Sequence, residues 1–146
     1  MSYSVAESAL ETIVKLVTGY SASNVSKGDY KVLGTGQTKA VVLSPGPFRR
    51  TNMSPGITNT DWMVLLELYI PFLTEISAIA TAIRTERQAI IDKLDTYPTL
   101  NRASGIVLGA LESGDEPELW QVGSRKWWRQ VMRVTIREAG TVTYAE

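Results

Sequence analysis

The chain has no cysteine and no histidine. Without cysteine there is no disulfide, no thiolate metal ligand and no thiol nucleophile. Without histidine the usual general base near neutral pH is missing. Zinc would be left with carboxylates alone, a poor structural site. Excess charge of either sign is absent too, because fifteen basic residues balance fifteen acidic ones. A general nucleic-acid binder carries a basic excess, so the balance argues against that class while leaving room for a local basic patch. Long hydrophobic runs are also lacking. The longest, Trp62 to Leu73, contains Glu67 and Pro71 and is too short to cross a bilayer. The opening "MSYSVAESALETIVKLV" has no basic start before an apolar run, so it does not read as a secretory signal, and folding in a cytoplasm without a membrane partner is expected. Catalytic motifs are missing as well. "GTGQTK", Gly34 to Lys39, has neither the phosphate-loop spacing nor the third glycine of a dinucleotide fingerprint, and no G-x-S-x-G elbow occurs. Carboxylates and lysines remain, but no paired site can be named from them. The expectation is a protein that is not an enzyme, with no catalytic residue, cofactor or metal.

At 146 residues the chain fits one domain spanning 1–146, with 44% hydrophobic residues to build a core. Ser4 and Glu7 have capping-box spacing, and Ala6, Leu10, Ile13 and Val17 follow at helical period, which predicts a helix from about Val5 to Val17. Residues 19–37 are rich in Gly, Ser and Asn and read as a long flexible loop. Thr38–Leu43 reads as a β-branched strand stopped by Pro-Gly-Pro, and residues 45–60 read as a second long loop. In "DWMVLLELYIP" both alternating faces are apolar and Glu67 is the single charge after Asp61, the pattern of a central or doubly covered strand. Helical period returns from about Phe72 to Thr96, where Arg87 interrupts an isoleucine and leucine stripe. "ASGIVLGAL", "LWQV" and "SRKWWRQVMRVTIRE" read as three closing strands around an "ESGDEPE" turn. The fold class expected is α+β: a largely antiparallel sheet of four to five strands, packed by an N-terminal helix and one long central helix.

Alternation along the last strand puts Trp128, Met132, Val134 and Ile136 on one face, and Trp127, Arg129, Arg133 and Arg137 on the other. The arginine face suits phosphate or a partner's carboxylates, and it equally suits a solvated outer face. A sequence-specific nucleic-acid reader would show a docking helix or a stacking platform, and Trp127 is the one aromatic on that face. Partner carboxylates fit better, since the turn holding Glu112, Asp115, Glu116 and Glu118 supplies them: copies of one chain could join basic stripe to acidic turn, head to tail. Calcium binding by that turn lacks EF-hand spacing. In the second loop, Phe48, Arg49, Arg50 and Met53 stand between Gly and Pro punctuation, either as a segment that orders on a partner or as a tolerated insertion.

The order of these elements resembles the tail terminator and tail-completion proteins of the neck of long-tailed bacteriophages. The resemblance lies in the N-terminal helix, the "AVVLSPGP" strand followed by a long loop, and "DWMVLLELYIP" running into a long helix. It continues through "IIDKLDTYPTLNRASGIVLGAL" and the closing arginine-bearing strand, covering most of residues 1–138. It is a likeness of architecture without a catalytic signature. It implies a structural virion protein, assembled in the host cytoplasm, that forms a hexameric ring. The ring would cap the tail tube, stop its polymerisation and join the tail to the head connector, with DNA passing through the hole unread. On this reading Arg129, Arg133, Arg137, Glu112, Asp115 and Glu116 meet a neighbouring subunit or line the channel, and Phe48, Arg49, Arg50 and Met53 dock on the tube or connector. Another neck component, a head-completion or adaptor protein, is the near alternative; a non-viral protein-binding module is the distant one.

Overall fold

A computed structural model of the chain describes residues 3–34, 36–72, 75–103 and 105–141. Helix α1 (Tyr3–Val14) is followed by strand β1 (Val25–Lys27), a 3-10 turn (Tyr30–Leu33) and strands β2 (Ala40–Ser54) and β3 (Ile57–Pro71). Helix α2 (Ile76–Thr96) then leads to strands β4 (Ile106–Gly114), β5 (Glu118–Val122) and β6 (Arg125–Thr141). The expected α+β class and both helices are present. The sheet has six strands, in the order β1-β2-β3-β6-β4 with β5 also on β6. β1 runs parallel to β2 and every other pair is antiparallel. β4 and β5 lie end to end along the same side of β6.

Two chain segments differ from the loops expected. Residues 45–60 form the arms of a long hairpin. "Ser-Pro-Gly" occurs twice there, with different outcomes. At Ser54-Pro55-Gly56 it makes the turn between Ser54 and Ile57, with Gly56 at φ 82. At Ser44-Pro45-Gly46 it lies within β2, where the register shifts between Pro45 and Phe48. Proline is tolerated there because this part of β2 is a sheet edge and no outer strand needs its missing N–H. Residues 19–37 hold β1 and the 3-10 turn, and they are tied down. Arg125 donates to the carbonyls of Gly34 (2.8 Å) and Gln37 (2.7 Å). Lys39 sits between both Glu86 carboxylate oxygens, 3.0 Å from each, with the Tyr20 ring 4.6 Å away. Thr35 lies outside the described residues.

α1 spans Tyr3–Val14, so Ser4 lies within it rather than before it, and the Tyr3 hydroxyl bonds Glu7. It ends at Val14, and Val17 is buried from the turns that follow. Gly19, at φ 88, takes a left-handed conformation in the turns after the helix. α2 begins at Ile76 rather than Phe72. Its residues Ile79, Ile83, Ile90 and Leu94 pack with Leu10 and Ile13 of α1 on one sheet face, over Val41, Leu43, Val64, Leu66, Leu68, Met132, Val134 and Ile136. On the other face a smaller cluster covers one end of the sheet, where Leu33 packs with Ala40, Val42, Tyr69 and Trp127. The two apolar faces of β3 therefore have different covers, helices on one and the 3-10 turn on part of the other.

Beyond that cover the chain turns through Leu100, Asn101 and Arg102, three successive non-glycine residues at φ 50, 58 and 58. Left-handed backbone is unfavourable for each of them, so packing must hold the turn. Leu100 is buried and lies against Gly109 of β4, while the Gly109 N–H donates to the Pro98 carbonyl at 2.7 Å.

Candidate interaction surfaces

The outer face of the sheet carries the arginine stripe, and β6 does place Arg129, Arg133 and Arg137 together on it. Each of the three has a carboxylate partner within the chain. Arg137 directly faces Asp61 across the β3–β6 ladder and forks both its oxygens, at 2.8 and 3.0 Å. Arg133 forks Asp115 at 2.7 and 3.0 Å. These guanidinium groups hold both carboxyls below their usual value of 3.8. Arg129 reaches diagonally to Glu67, with Nε and Nη2 at 2.9 and 2.5 Å from one oxygen, and places Nη1 2.8 Å from Glu118.

Glu67 is 1% exposed. An ionised carboxylate so far from water needs several partners, and it has them. Besides Arg129 it accepts from the Tyr69 hydroxyl at 3.0 Å and from the Tyr30 hydroxyl at 3.0 and 3.2 Å. Burial, reinforced by the adjacent carboxylate, pushes the ionisation of Tyr69 well above its usual 10. Trp120 lies against the Arg129 guanidinium, 4.4 Å from ring centre to Cζ. Within the chain, the stripe's partners are Glu67, Asp61, Asp115 and Glu118. The acidic turn is divided. Asp115 and Glu118 serve these pairs, while Glu112 and Glu116 are exposed and make no ion pair among the described residues.

Sequence reasoning missed Asp61 and Glu67 as partners. Glu67 had a signal: one charge in a strand apolar on both faces must be compensated. Asp61 had none short of the strand register.

The segment expected as a docking loop is the distal half of β2. Phe48 is 62% exposed, although its ring lies 5.3 Å from that of Trp62. Arg49 and Arg50 are exposed, with Arg49 opposite Asp61 in the ladder. The Met53 side chain lies outside the described residues. β1 covers β2 only at Val41–Leu43, so from Ser44 onward β2 has no strand on its outer side among the described residues. The opposite margin, formed by β4 and β5, also lacks an outer strand, with the Pro98 carbonyl reaching it at Gly109. Val107 and Leu108 on that margin are 50% and 43% exposed.

A groove of about 330 Å³ runs between the N-terminal half of α2 and the start of β5, lined by Ile79, Ala80, Ile83, Arg84, Arg87, Pro117 and Trp128. Arg84 and Arg87 have no carboxylate partner among the described residues. The Trp128 indole N–H is buried and has no acceptor among the described residues. Among the described residues no group of three or more acidic side chains is placed to hold a metal ion, and no helix is long and apolar enough to cross a membrane. Compared with models of known protein families and with curated proteins, the chain matches none.

Proposed function

We propose that this chain is a non-enzymatic structural subunit of a phage neck. Copies join side by side into a ring that caps the tail tube and meets the head connector. The resemblance supplies the setting and the sixfold number. The observation that carries the proposal is the pair of open margins on opposite sides of one sheet. The β2 margin is basic and apolar, with Phe48, Arg49 and Arg50. The β4 margin is apolar and acidic, with Val107, Leu108 and Glu112, and Glu116 follows in the next turn. Unlike edges on one molecule favour a head-to-tail contact, which propagates from copy to copy and closes when the rotation per copy divides a full turn. Unpaired strand edges invite another strand, and folds that avoid such pairing cover or blunt them. The stripe of Arg129, Arg133 and Arg137 is neutralised within the chain, so the edges rather than the stripe carry the contact.

Native mass by light scattering after gel filtration tests this across concentration and salt. The expected mass approaches six chains and falls as salt screens the edges. Arg49→Glu with Arg50→Glu should dissociate the ring, as should Glu112→Arg with Glu116→Arg. Mixing the two variants should restore alternating rings. A strict monomer at every concentration, with no heteromer on mixing, would overturn the contact.

A further inference from the structure

We infer that the groove between α2 and β5 is a docking site for an extended acidic segment of a partner protein, one that carries an apolar side chain two residues from a carboxylate. No residue of β2 or β4 lines the groove, although the free edge of β5 beside it continues the β4 margin.

Three features converge there. The first is unspent positive charge. Fifteen basic and fifteen acidic residues cancel overall, and the cations of the sheet face are matched inside the chain. Arg84 and Arg87, one helical turn apart on α2, are not. Arg87 is half-buried, interrupting a stripe that is otherwise apolar. A guanidinium partly withdrawn from water with no acceptor is poorly placed unless something brings one.

The second is the Trp128 indole. Native folds leave few buried donors unsatisfied. Among the described residues the buried side-chain atoms without partners are Trp127 Nε1, Trp128 Nε1 and Gln130 Oε1, and of these residues only Trp128 lines the groove. The wall thus sets two guanidinium groups beside an indole whose buried N–H is itself unpaired among the described residues.

The third is the edge. β5 pairs with β6 on one side only, and Leu119, directly opposite Trp128, is 51% exposed. Pro117, Ile79, Ala80 and Ile83 give an apolar lining that a bare phosphate would not use, and the exposed Leu119 stands next to it, opposite Trp128. An added strand would draw main-chain hydrogen bonds from the free side of β5. Side chains of an extended segment alternate, so those facing the groove are two residues apart. One apolar side chain over Trp128 and Leu119 then places a carboxylate two residues on, within reach of Arg84 or Arg87. Charge complementarity selects an acidic segment over a basic one.

The probe is a capped peptide, Ser-Leu-Ser-Glu-Ser-Glu, titrated into the nitrogen-15-labelled full chain. The four indole N–H signals are separable, and Trp128→Phe identifies the one required. The expected result is a saturable shift of the Trp128 indole and of the β5 amides. Arg84→Glu with Arg87→Glu should weaken binding about tenfold or more, the scale of lost charge-assisted hydrogen bonds. Since neither arginine has a partner among the described residues, circular dichroism should show an unchanged fold. Four results would each overturn the inference: no shift at millimolar peptide; an equal shift with the lysine-for-glutamate peptide; an equal shift with inorganic phosphate, which would make the groove a simple anion site; or an indole shift that follows protein concentration instead of peptide, which would make the occupant a second copy of this chain.

Discussion

Arg129→Met separates a structural stripe from a functional one. Glu67 is 1% exposed and its guanidinium partner 18% exposed, so the pair is largely out of water. Removing one member of a buried pair costs about 3–5 kcal/mol, because the other charge is left behind. Here the Tyr30 and Tyr69 hydroxyls still donate to Glu67 after the change. That places the expected loss near the lower end, about 3 kcal/mol. For a chain of this length it lowers Tm by about 6–12 °C, taking about 2–4 °C per kcal/mol. The assay is urea and thermal unfolding followed by circular dichroism. Glu67→Met combined with Arg129→Met removes both charges and leaves a Tyr69 hydroxyl without its acceptor, a cost of about 1–3 kcal/mol. The double variant should therefore be no worse than the single one and probe-for-probe closer to the parent. Arg133→Met, at the exposed end of the stripe, should change stability little. If Arg129→Met melts with the parent, Glu67 is hydrated in solution and the stripe is free to act on other molecules.

Three further outcomes follow from the same geometry. A Cβ at Gly109 would lie 2.7 Å from the Leu100 side chain, so Gly109→Ala should cost about 1–3 kcal/mol by overpacking, and Leu100→Ala in the same chain should relieve that clash; an unshifted unfolding midpoint for the single variant would refute the Leu100 placement. Asp61 is held below 3.8 chiefly by its hydrogen bonds from Arg137, so the unfolded chain takes up its proton first on acidification. Its contribution is complete above the unfolded value and is lost as pH falls through the lower folded value; Asp61→Asn should flatten that part of an acid-unfolding curve, and an identical acid limb would count against the pair. Burial and the neighbouring Glu86 raise the ionisation of Tyr20, as burial and Glu67 raise that of Tyr69. Their contribution is complete below pH 10, the ordinary tyrosine value, and is lost as pH rises further because the unfolded chain ionises first. Tyrosinate absorbance should show both ionising only with alkaline unfolding, and normal titration of all tyrosines in the folded chain would refute the two networks.

Much of the architecture was legible because it rests on period. The faces of β6 followed from alternation, and Met132, Val134 and Ile136 do enter the helix-covered core. The α2 stripe followed from helical spacing. What misled was Pro and Gly. In residues 45–60 these residues mark a register shift on an edge and a two-residue turn, and a local reading cannot distinguish either from a loop. β1 was missed because three residues carry no period, and its place is fixed by pairing with Val41–Leu43. The open margins were not legible either, since an edge is a property of the sheet order and not of any strand by itself.

The arginine stripe shows how a charge pattern changes meaning once register is known. Spacing places three arginines on one face, but it says nothing of what stands on the neighbouring strands. Register sets Asp61 opposite Arg137, puts Glu67 diagonal to Arg129 and brings the β4–β5 turn to Arg133. Four carboxylates then consume the stripe, and the residues most conspicuous in the sequence belong to the fold. Interaction must be sought among the charges left over. Those on the open margins and in the groove are Glu112 and Glu116 on the acidic side, and the exposed Arg49 and Arg50 with Arg84 and Arg87 on the basic side. Arg50 lies on one open margin, Glu112 lies on the other, and Arg84 and Arg87 line the apolar groove. The β2 margin and the groove are thus basic, and the β4 margin is acidic. Edges of opposite sign would recognise each other in the proposed ring, and a cationic groove would favour an acidic partner over a basic one.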